Sequence, residues 1–131
     1  MKQMKHETTV LRGKRGEDAA AEYLSAHGCT VLARNVRLAH GEIDLIASDH
    51  EHLLFVEVKT RTVSSDAAFG TPASAVTREK QARIISAAEE YLRRNPTELF
   101  PRLDVCEVLL SRGAESRVLS VSYLENAFYK Q

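Results

Sequence analysis

The sequence predicts an α/β fold, a sandwich in which helices flank a mixed central sheet, with the elements in the order αβββαββ. Two segments, residues 14–27 and 77–94, repeat apolar side chains at the spacing of an amphipathic helix. Five other segments are rich in β-branched and apolar residues, which is typical of strands. The length of 131 residues and the hydrophobic content of 44% indicate one domain with a packed core.

The amino-terminal segment, residues 1–12, is basic and polar, and we expect a flexible arm ahead of a single domain over residues 13–131. The first helix is predicted over Lys14–His27, because its apolar residues recur at positions i, i+3, i+4 and i+7. Gly28 follows as its carboxyl-terminal stop.

Three strands are predicted next, over Thr30–Leu38, Gly41–Ser48 and His52–Thr60. A short polar turn separates the second from the third, which predicts an antiparallel hairpin. The third strand contains the continuous apolar run Leu53–Val56, as expected for a strand that is covered on both faces.

The rest of the chain supplies one helix and two strands. Residues 62–72 are polar and contain glycine and proline, and we expect a mobile loop there. The second helix is predicted over Thr77–Arg94, and the last strands over Leu103–Leu110 and Arg117–Tyr123.

The net charge is zero, because 18 basic side chains balance 18 acidic ones. A zero total argues at first against a nucleic-acid partner, for which a basic surface is usual. The charges are unevenly distributed, however. Residues 41–57 hold five acidic groups and no basic one, whereas residues 1–40 hold seven basic and four acidic groups, and residues 58–102 hold eight and five. An acidic centre thus lies between two basic flanks.

Targeting and redox signals are sparse. The basic start has no apolar run behind it, and no segment approaches the roughly 18 apolar residues of a membrane span. Cys29 and Cys106 lie far apart without a CxxC pair, so we expect free thiols in a reducing compartment. These observations predict a cytoplasmic protein without a membrane partner.

The acidic centre falls on the predicted hairpin. Glu42 and Asp44 are two residues apart and share a face of their strand, as do Glu57 and Lys59 on the next strand. If the turn is centred between residues 50 and 51, Asp44 faces Glu57 and Glu42 faces Lys59. Three carboxylates and one ammonium group then converge on one patch.

Like charges that face each other across a sheet are destabilising, so this patch needs a shared proton, a bound cation or good solvation. Mg2+ takes oxygen ligands, often one or two carboxylates together with a substrate phosphate. A lysine beside such an ion can orient a water molecule or help to deprotonate it. The residues by themselves leave two interpretations open, a metal site for phosphodiester hydrolysis and a solvated sheet edge.

The residues GEIDLIA, a short gap and then FVEVKTR resemble the core motif of the PD-(D/E)xK nuclease superfamily, which has the restriction-endonuclease-like fold. More narrowly, the chain resembles the bacterial YraN family, which is close to the archaeal Holliday-junction resolvases. The resemblance extends from Gly13 to Phe128. Outside the hairpin it includes Gly16-Glu17, Asn35, Phe69-Gly70, Asp104-Val105 and Glu125-Asn126-Ala127-Phe128.

The resemblance implies a role for each matching residue. Asp44 and Glu57 would hold a Mg2+ or Mn2+ ion, and the carbonyl of Val58 would complete the coordination. Lys59 would be the catalytic lysine, which positions or activates the attacking water. Glu17, on the first helix, matches an additional glutamate of resolvase-like members and would hold the metal or its water.

Basic residues flank the acidic centre in sequence, and we expect them to contact phosphate groups. They are Arg61, Arg78, Lys80 and Arg83. Glu42 has no role in this scheme beyond a pairing with Lys59. Ile43 departs from the superfamily motif, because it stands where the motif has a proline before the first acid.

The resemblance therefore implies a Mg2+- or Mn2+-dependent endonuclease-like protein that hydrolyses DNA phosphodiesters, including those of branched or structured DNA. It also implies a homodimer, because cutting two strands needs two sites. Two other hypotheses stay open. One is a nucleic-acid-binding module or partner subunit without significant cleavage, and the other is an interaction protein whose acidic patch is solvated.

Overall fold

The computed structural model describes residues 9–63 and 76–128, while residues 1–8, 64–75 and 129–131 lie outside the described part. The described residues form two helices and five strands. They are α1 (Thr9–Ala26), β1 (Thr30–Leu38), β2 (Gly41–Ser48), β3 (His52–Thr62), α2 (Arg78–Arg94), β4 (Phe100–Leu110) and β5 (Val118–Leu124). This order confirms the predicted αβββαββ arrangement.

The five strands form one sheet in the order β1-β2-β3-β4-β5. β3 and β4 are parallel, and every other neighbouring pair in this sheet is antiparallel. β3 and β4 are parallel because α2 connects them. The helix carries the chain back along the sheet, so that β4 starts at the same end of the sheet as β3. The sheet is therefore mixed, as predicted.

The largest boundary difference lies at the amino terminus. α1 begins at Thr9, so residues 9–12, which the sequence assigned to a flexible arm, are helical. An isolated glycine such as Gly13 costs a helix only about 1 kcal/mol, and packing of α1 on the sheet offsets that cost. The rest of the predicted arm and most of the predicted loop over residues 62–72 lie outside the described residues.

The last two strands also shift slightly. β4 begins at Phe100 rather than at Leu103, because the Phe100 amide donates a hydrogen bond to the carbonyl of Glu51. The sequence did not predict residues 100–102 as part of β4, because proline is rare inside strands and Pro101 lies in this segment. β5 begins and ends one residue later than predicted.

The sheet is covered on both faces. One face packs against α1 through Ala19, Ala20, Ala21 and Leu24. The other face packs against α2 through Ile84, Ala87 and Ala88. The central strand β3 alternates its apolar residues between these two cores, which confirms that its continuous apolar run marks a strand covered on both faces.

Two glycines allow the helices to approach the strand ends closely. A Cβ atom on Gly16 of α1 would overlap the side-chain oxygen of Thr60 in β3. A Cβ atom on Gly41 of β2 would lie 2.9 Å from the carbonyl oxygen of Arg83 in α2. Through these two contacts, α1 lies close to the end of β3 on one face of the sheet and α2 lies close to the start of β2 on the other face. These are the strand ends that carry the acidic centre.

Both cysteines have free thiols, as predicted. Cys106 is buried in the core beneath α1, and this burial raises the pKa of its thiol to about 12. A thiol with such a pKa is unreactive, so Cys106 acts as a small core residue. Neither of the two described helices has the length and apolar character required to cross a membrane.

Candidate active site

β2 and β3 form the predicted antiparallel hairpin. The pairing runs over residues 45–48 of β2 and 53–56 of β3, in the predicted register. It ends one residue short of Asp44 and Glu57. The two strands therefore stop pairing with each other immediately before the two acids that the sequence singled out.

The alternation of side chains between the two faces of the sheet is interrupted in β2 at Asp44. Ile43 packs in the core beneath α2, whereas Leu45 packs in the core beneath α1, although residues two apart in a regular strand share a face. The residue of β1 that lies opposite Asp44 is Asn35, whose φ of 51° is left-handed. Both strands are thus irregular at the position of the first acid.

Asp44 and Glu57 form the centre of the site. Oδ2 of Asp44 accepts a hydrogen bond of 2.8 Å from the backbone amide of Val58, and Asp44 and Glu57 line the same cavity. Burial and the charge of Glu57 raise the pKa of Asp44 to about 8. Glu57 is only 3% exposed. Two acids that line one cavity disfavour each other's charged form unless a cation lies beside them.

Lys80, in the first turn of α2, supplies a cation to this pair. Its Nζ lies 2.9 Å from Oε2 of Glu57, and this hydrogen bond raises the pKa of Lys80. The sequence placed Lys80 among the phosphate contacts and missed its pairing with an acid. A signal was present, because Lys80 is the third residue after the helix cap Thr77, a position where the helix dipole favours an acid.

The acids and Lys80 line a cavity of about 190 Å³ between β2 and α2. The residues that line it are Gly41, Glu42, Asp44, Glu57, Lys80, Arg83 and Ile84. Of the four basic residues expected to contact phosphate, Lys80 and Arg83 therefore lie on the cavity. Arg61 and Arg78 are not among its lining residues.

Glu42 does not pair with Lys59, which corrects the expected pairing. Its carboxylate accepts a hydrogen bond of 3.1 Å from Nε of Arg37. The reason is that β2 continues to pair with β1 at Glu42 after its pairing with β3 has ended. Glu42 still lines the cavity together with Asp44 and Glu57, but residues 9–63 and 76–128 contain no group of three or more His, Cys, Asp or Glu side chains placed to hold a metal ion together.

Lys59 and Arg61 follow Glu57 along β3. Nε of Arg61 lies 2.7 Å from Oε2 of Glu107 in β4, so this guanidinium group is held by a buried carboxylate. Lys59 is half-buried and lies opposite Glu107 in the parallel register. Within the described part of the chain Lys59 forms no ion pair, and its ammonium group is available to a ligand.

Glu17 lies on α1, on the other face of the sheet, and it lines a separate cavity with Arg34 and Asn35 rather than the cavity that holds Asp44 and Glu57. Its Oε1 accepts a hydrogen bond of 3.1 Å from Nδ2 of Asn35. The charge of Glu17 contributes to the raised pKa of Asp44, which places the two acids within electrostatic reach of each other. Asn35 therefore positions Glu17, and this contact gives the motif asparagine a physical role.

The donor set at this position suits a hard divalent cation. Asp44 and Glu57 bring two carboxyl groups to this cavity, and oxygen donors are those that Mg2+ and Mn2+ prefer. The resemblance adds the carbonyl of Val58 as an expected third donor. A divalent ion would give the two acids a stronger counter-charge than the single ammonium group of Lys80. The remaining ligands would be water or substrate oxygens, as is usual for Mg2+.

Comparison with known proteins assigns the chain to a family. The model of "Uncharacterised protein family UPF0102" matches residues 16–108. A UPF0102 protein of Symbiobacterium thermophilum is 48% identical over 118 residues, which cover 89% of this chain and 95% of that protein. A UPF0102 protein of Chlorobium chlorochromatii is 44% identical over 124 residues, with coverages of 93% and 94%.

A solved structure also matches at low similarity. SfsA of Pyrococcus furiosus, in complex with Ca2+, has a TM-score of 0.41 and 14% sequence identity, and the match covers 86% of this chain and 63% of that one. The family match is much stronger, and its matched segment contains Glu17, Asp44, Glu57 and Lys59. The chain therefore belongs to the UPF0102 family, which is the YraN-type family that its motifs indicated.

Proposed function

We propose that this protein is a Mg2+- or Mn2+-dependent endonuclease-like hydrolase of the PD-(D/E)xK superfamily, which cleaves DNA phosphodiesters. The observation that carries the proposal is that Asp44 and Glu57 line one cavity at the point where β2 and β3 stop pairing. Lys59 follows two residues later and forms no ion pair with residues 9–63 and 76–128. Two acids and a lysine in this arrangement suit metal-assisted hydrolysis.

Asp44, Glu57 and the carbonyl of Val58 would hold the metal ion. When bound, the ion supplies a Lewis acid for the phosphate group and lowers the pKa of a water molecule. Lys59 orients that water and stabilises negative charge on the phosphate by donating hydrogen bonds. Glu17, held by Asn35, accepts a hydrogen bond from the same water on the α1 side.

The amino-terminal end of α2 supplies the phosphate contacts. Lys80 and Arg83 line the cavity, and Arg78 is exposed at the first residue of the helix. The positive end of the helix dipole adds to this attraction for an anion. Duplex DNA and branched or structured DNA are the substrate classes, a homodimer would provide two sites for cutting two strands, and the cytoplasm is the expected location.

The test is cleavage of labelled duplex, flap and four-way-junction DNA in Mg2+ or Mn2+. We expect the wild-type protein to cut at least one substrate, and Asp44→Asn and Lys59→Met to lose about 100-fold or more of that activity. Arg93→Met, at the far end of α2, is the control and should retain activity. Cleavage that persists unchanged in both site variants would contradict the proposal.

A nucleic-acid-binding module or partner subunit without significant cleavage is the second candidate. It is favoured by the ion pair between Lys80 and Glu57, which neutralises one acid without a metal ion. In that case the protein binds DNA with an affinity that falls with salt, no substrate is cut, and Asp44→Asn leaves binding unchanged. A pure interaction protein would not bind DNA even at low salt.

A further inference from the structure

We propose that Lys80 is a built-in counter-cation of the candidate metal site, which holds Glu57 while no metal ion is bound and moves aside when a divalent cation binds. The inference rests on the proposed function, because it takes Asp44 and Glu57 as metal ligands. It adds a regulatory property to that site. Lys80 belongs to α2 and lies outside the hairpin motif.

The position of the ammonium group is the first argument. Nζ of Lys80 lies 2.9 Å from Oε2 of Glu57, and its charge also interacts with Asp44. Asp44, Glu57 and Lys80 line one cavity. A divalent ion that binds both acids therefore competes with Lys80 for the carboxylate of Glu57.

The two partners differ in their freedom to move. Glu57 is 3% exposed on the central strand of the sheet, whereas the Lys80 side chain is 43% exposed and has a flexible four-carbon stem. The backbone of Lys80 is fixed by its hydrogen bond to Oγ1 of Thr77, at 3.2 Å. Displacement therefore requires only side-chain rotation, and Glu57 keeps its place for the metal ion.

The helix end explains why Lys80 needs a partner. A cation in the first turn of a helix is disfavoured by the helix dipole, and an acid at this position would complete a capping box. The contact with Glu57 offsets that cost. When a metal ion takes Glu57, Lys80 becomes an unpaired cation at the rim of the cavity beside Arg83, where a phosphate group can replace the lost carboxylate.

The test measures binding of Mn2+ alone to the full chain by isothermal titration calorimetry. We expect Lys80→Met to bind Mn2+ about tenfold more tightly than wild type, because no internal cation competes for Glu57. Lys80→Arg retains a competing cation and should stay within about threefold of wild type. The matched control Arg78→Met removes one positive charge from the same helical turn without touching Glu57, and should also stay within about threefold.

A second readout follows the lysine itself. Reductive methylation with 13C-labelled formaldehyde marks the lysine amines, and the Lys80 resonance is identified by its loss in Lys80→Arg. We expect titration with Mg2+ to shift the Lys80 resonance toward the positions of exposed lysines. The Lys14 resonance, from an exposed lysine paired with Asp18, should not move.

The outcomes separate this inference from the proposed function. Equal Mn2+ affinity in wild type and Lys80→Met, with a Lys80 resonance that does not respond to Mg2+, overturns the inference and leaves the metal site standing. Absence of Mn2+ binding in both proteins overturns the metal site and the inference together. If Lys80→Met does not fold, the response of the wild-type resonance decides the question alone.

Discussion

Two aspartates in the sheet, Asp104 and Asp44, differ in the partners that surround their carboxyl groups. Asp104 of β4 is fully buried and accepts hydrogen bonds from the guanidinium of Arg102, from the hydroxyl of Tyr123 at 2.6 Å and from the amide of Asn126 at 2.8 Å. Asp44 of β2 accepts a hydrogen bond from one backbone amide and lines a cavity with a second acid, Glu57. Asp104 is bound directly by a guanidinium group, whereas Lys80, which lines the same cavity as Asp44, is paired with Glu57.

The difference separates a structural acid from a functional one. A buried carboxylate with a full set of donors and a guanidinium partner has its hydrogen-bonding capacity satisfied. A buried carboxyl that faces another acid lowers the free energy of unfolding at neutral pH, and such an arrangement is typical of a functional site. The hydrogen bonds of Asp104 serve the fold, whereas Asp44 is the acid to which the proposed function assigns a ligand.

The Asp104 network also explains motif residues at the end of the chain. Asn126, whose φ of 52° is left-handed, donates its amide to Asp104. The next residue, Ala127, donates its amide to the carbonyl of Leu103, and Phe128 is buried in the core beneath α2. The closing segment is therefore fastened to β4, and this part of the motif has a structural role.

The largest expected effect tests the structural half of this comparison. Asp104→Asn should lower the free energy of unfolding by about 3 kcal/mol, because it leaves the guanidinium of Arg102, which is only 15% exposed, without its carboxylate. Urea denaturation at pH 7 measures this loss. Asp18→Asn, at an exposed ion pair with Arg34, is the control and should lose less than about 1 kcal/mol. Equal losses in the two variants would show that the buried contacts of Asp104 stabilise the fold no more than an exposed ion pair does.

The next effect is the pH dependence of the metal-free protein. The pKa of Asp44 is raised from 3.8 to about 8 on folding, so the folded state binds more protons than the unfolded chain between about pH 4 and pH 8. The contribution of Asp44 to stability is complete below pH 4 and is lost as the pH rises through 8. Asp44→Asn removes this loss and should exceed wild type in unfolding free energy by about 2 kcal/mol at pH 8.

Urea denaturation at pH 5, 6.5 and 8 checks this second expectation. Comparing variant with wild type at each pH is necessary, because hydrogen bonds lower the pKa values of Asp18 and Asp49 and these acids titrate with the opposite sign at lower pH. A difference between Asp44→Asn and wild type that stays constant over this range would show that Asp44 is ionised in the folded protein.

A smaller effect isolates one donor to Asp104. Tyr123→Phe removes the hydroxyl that donates to Asp104 and should cost about 1 kcal/mol, which lowers Tm by about 3–6 °C. Tyr91→Phe is the matched control, because the Tyr91 ring packs edge-on against Phe55 and its hydroxyl has no hydrogen bond to the described residues. Thermal melting of both variants should show a clear shift only for Tyr123→Phe.

The smallest expected effect belongs to Lys59. Its ammonium group has no ion-pair partner in the described structure, so Lys59→Met should change the free energy of unfolding by less than about 0.5 kcal/mol. The same variant should lose DNA cleavage, as stated above. A loss of stability comparable to that of Asp104→Asn would instead make Lys59 a structural residue.

The sequence by itself determined the order of the elements, the bounds of β1 and β2, and the register of the β2–β3 hairpin. These features follow from local periodicity, turn position and the alternation of side chains across a strand, all of which can be read along the chain. The same local pattern located Asp44, Glu57 and Lys59. Most of the candidate site was therefore predictable.

Only the tertiary structure decided which charges meet. Glu42 pairs with Arg37, and Lys80 reaches Glu57 from a helix that lies more than 20 positions later in the chain. The physical reason is that these ion pairs depend on where β2–β3 pairing stops and on how closely each helix approaches the sheet. Such distances are set by packing between elements and not by sequence periodicity.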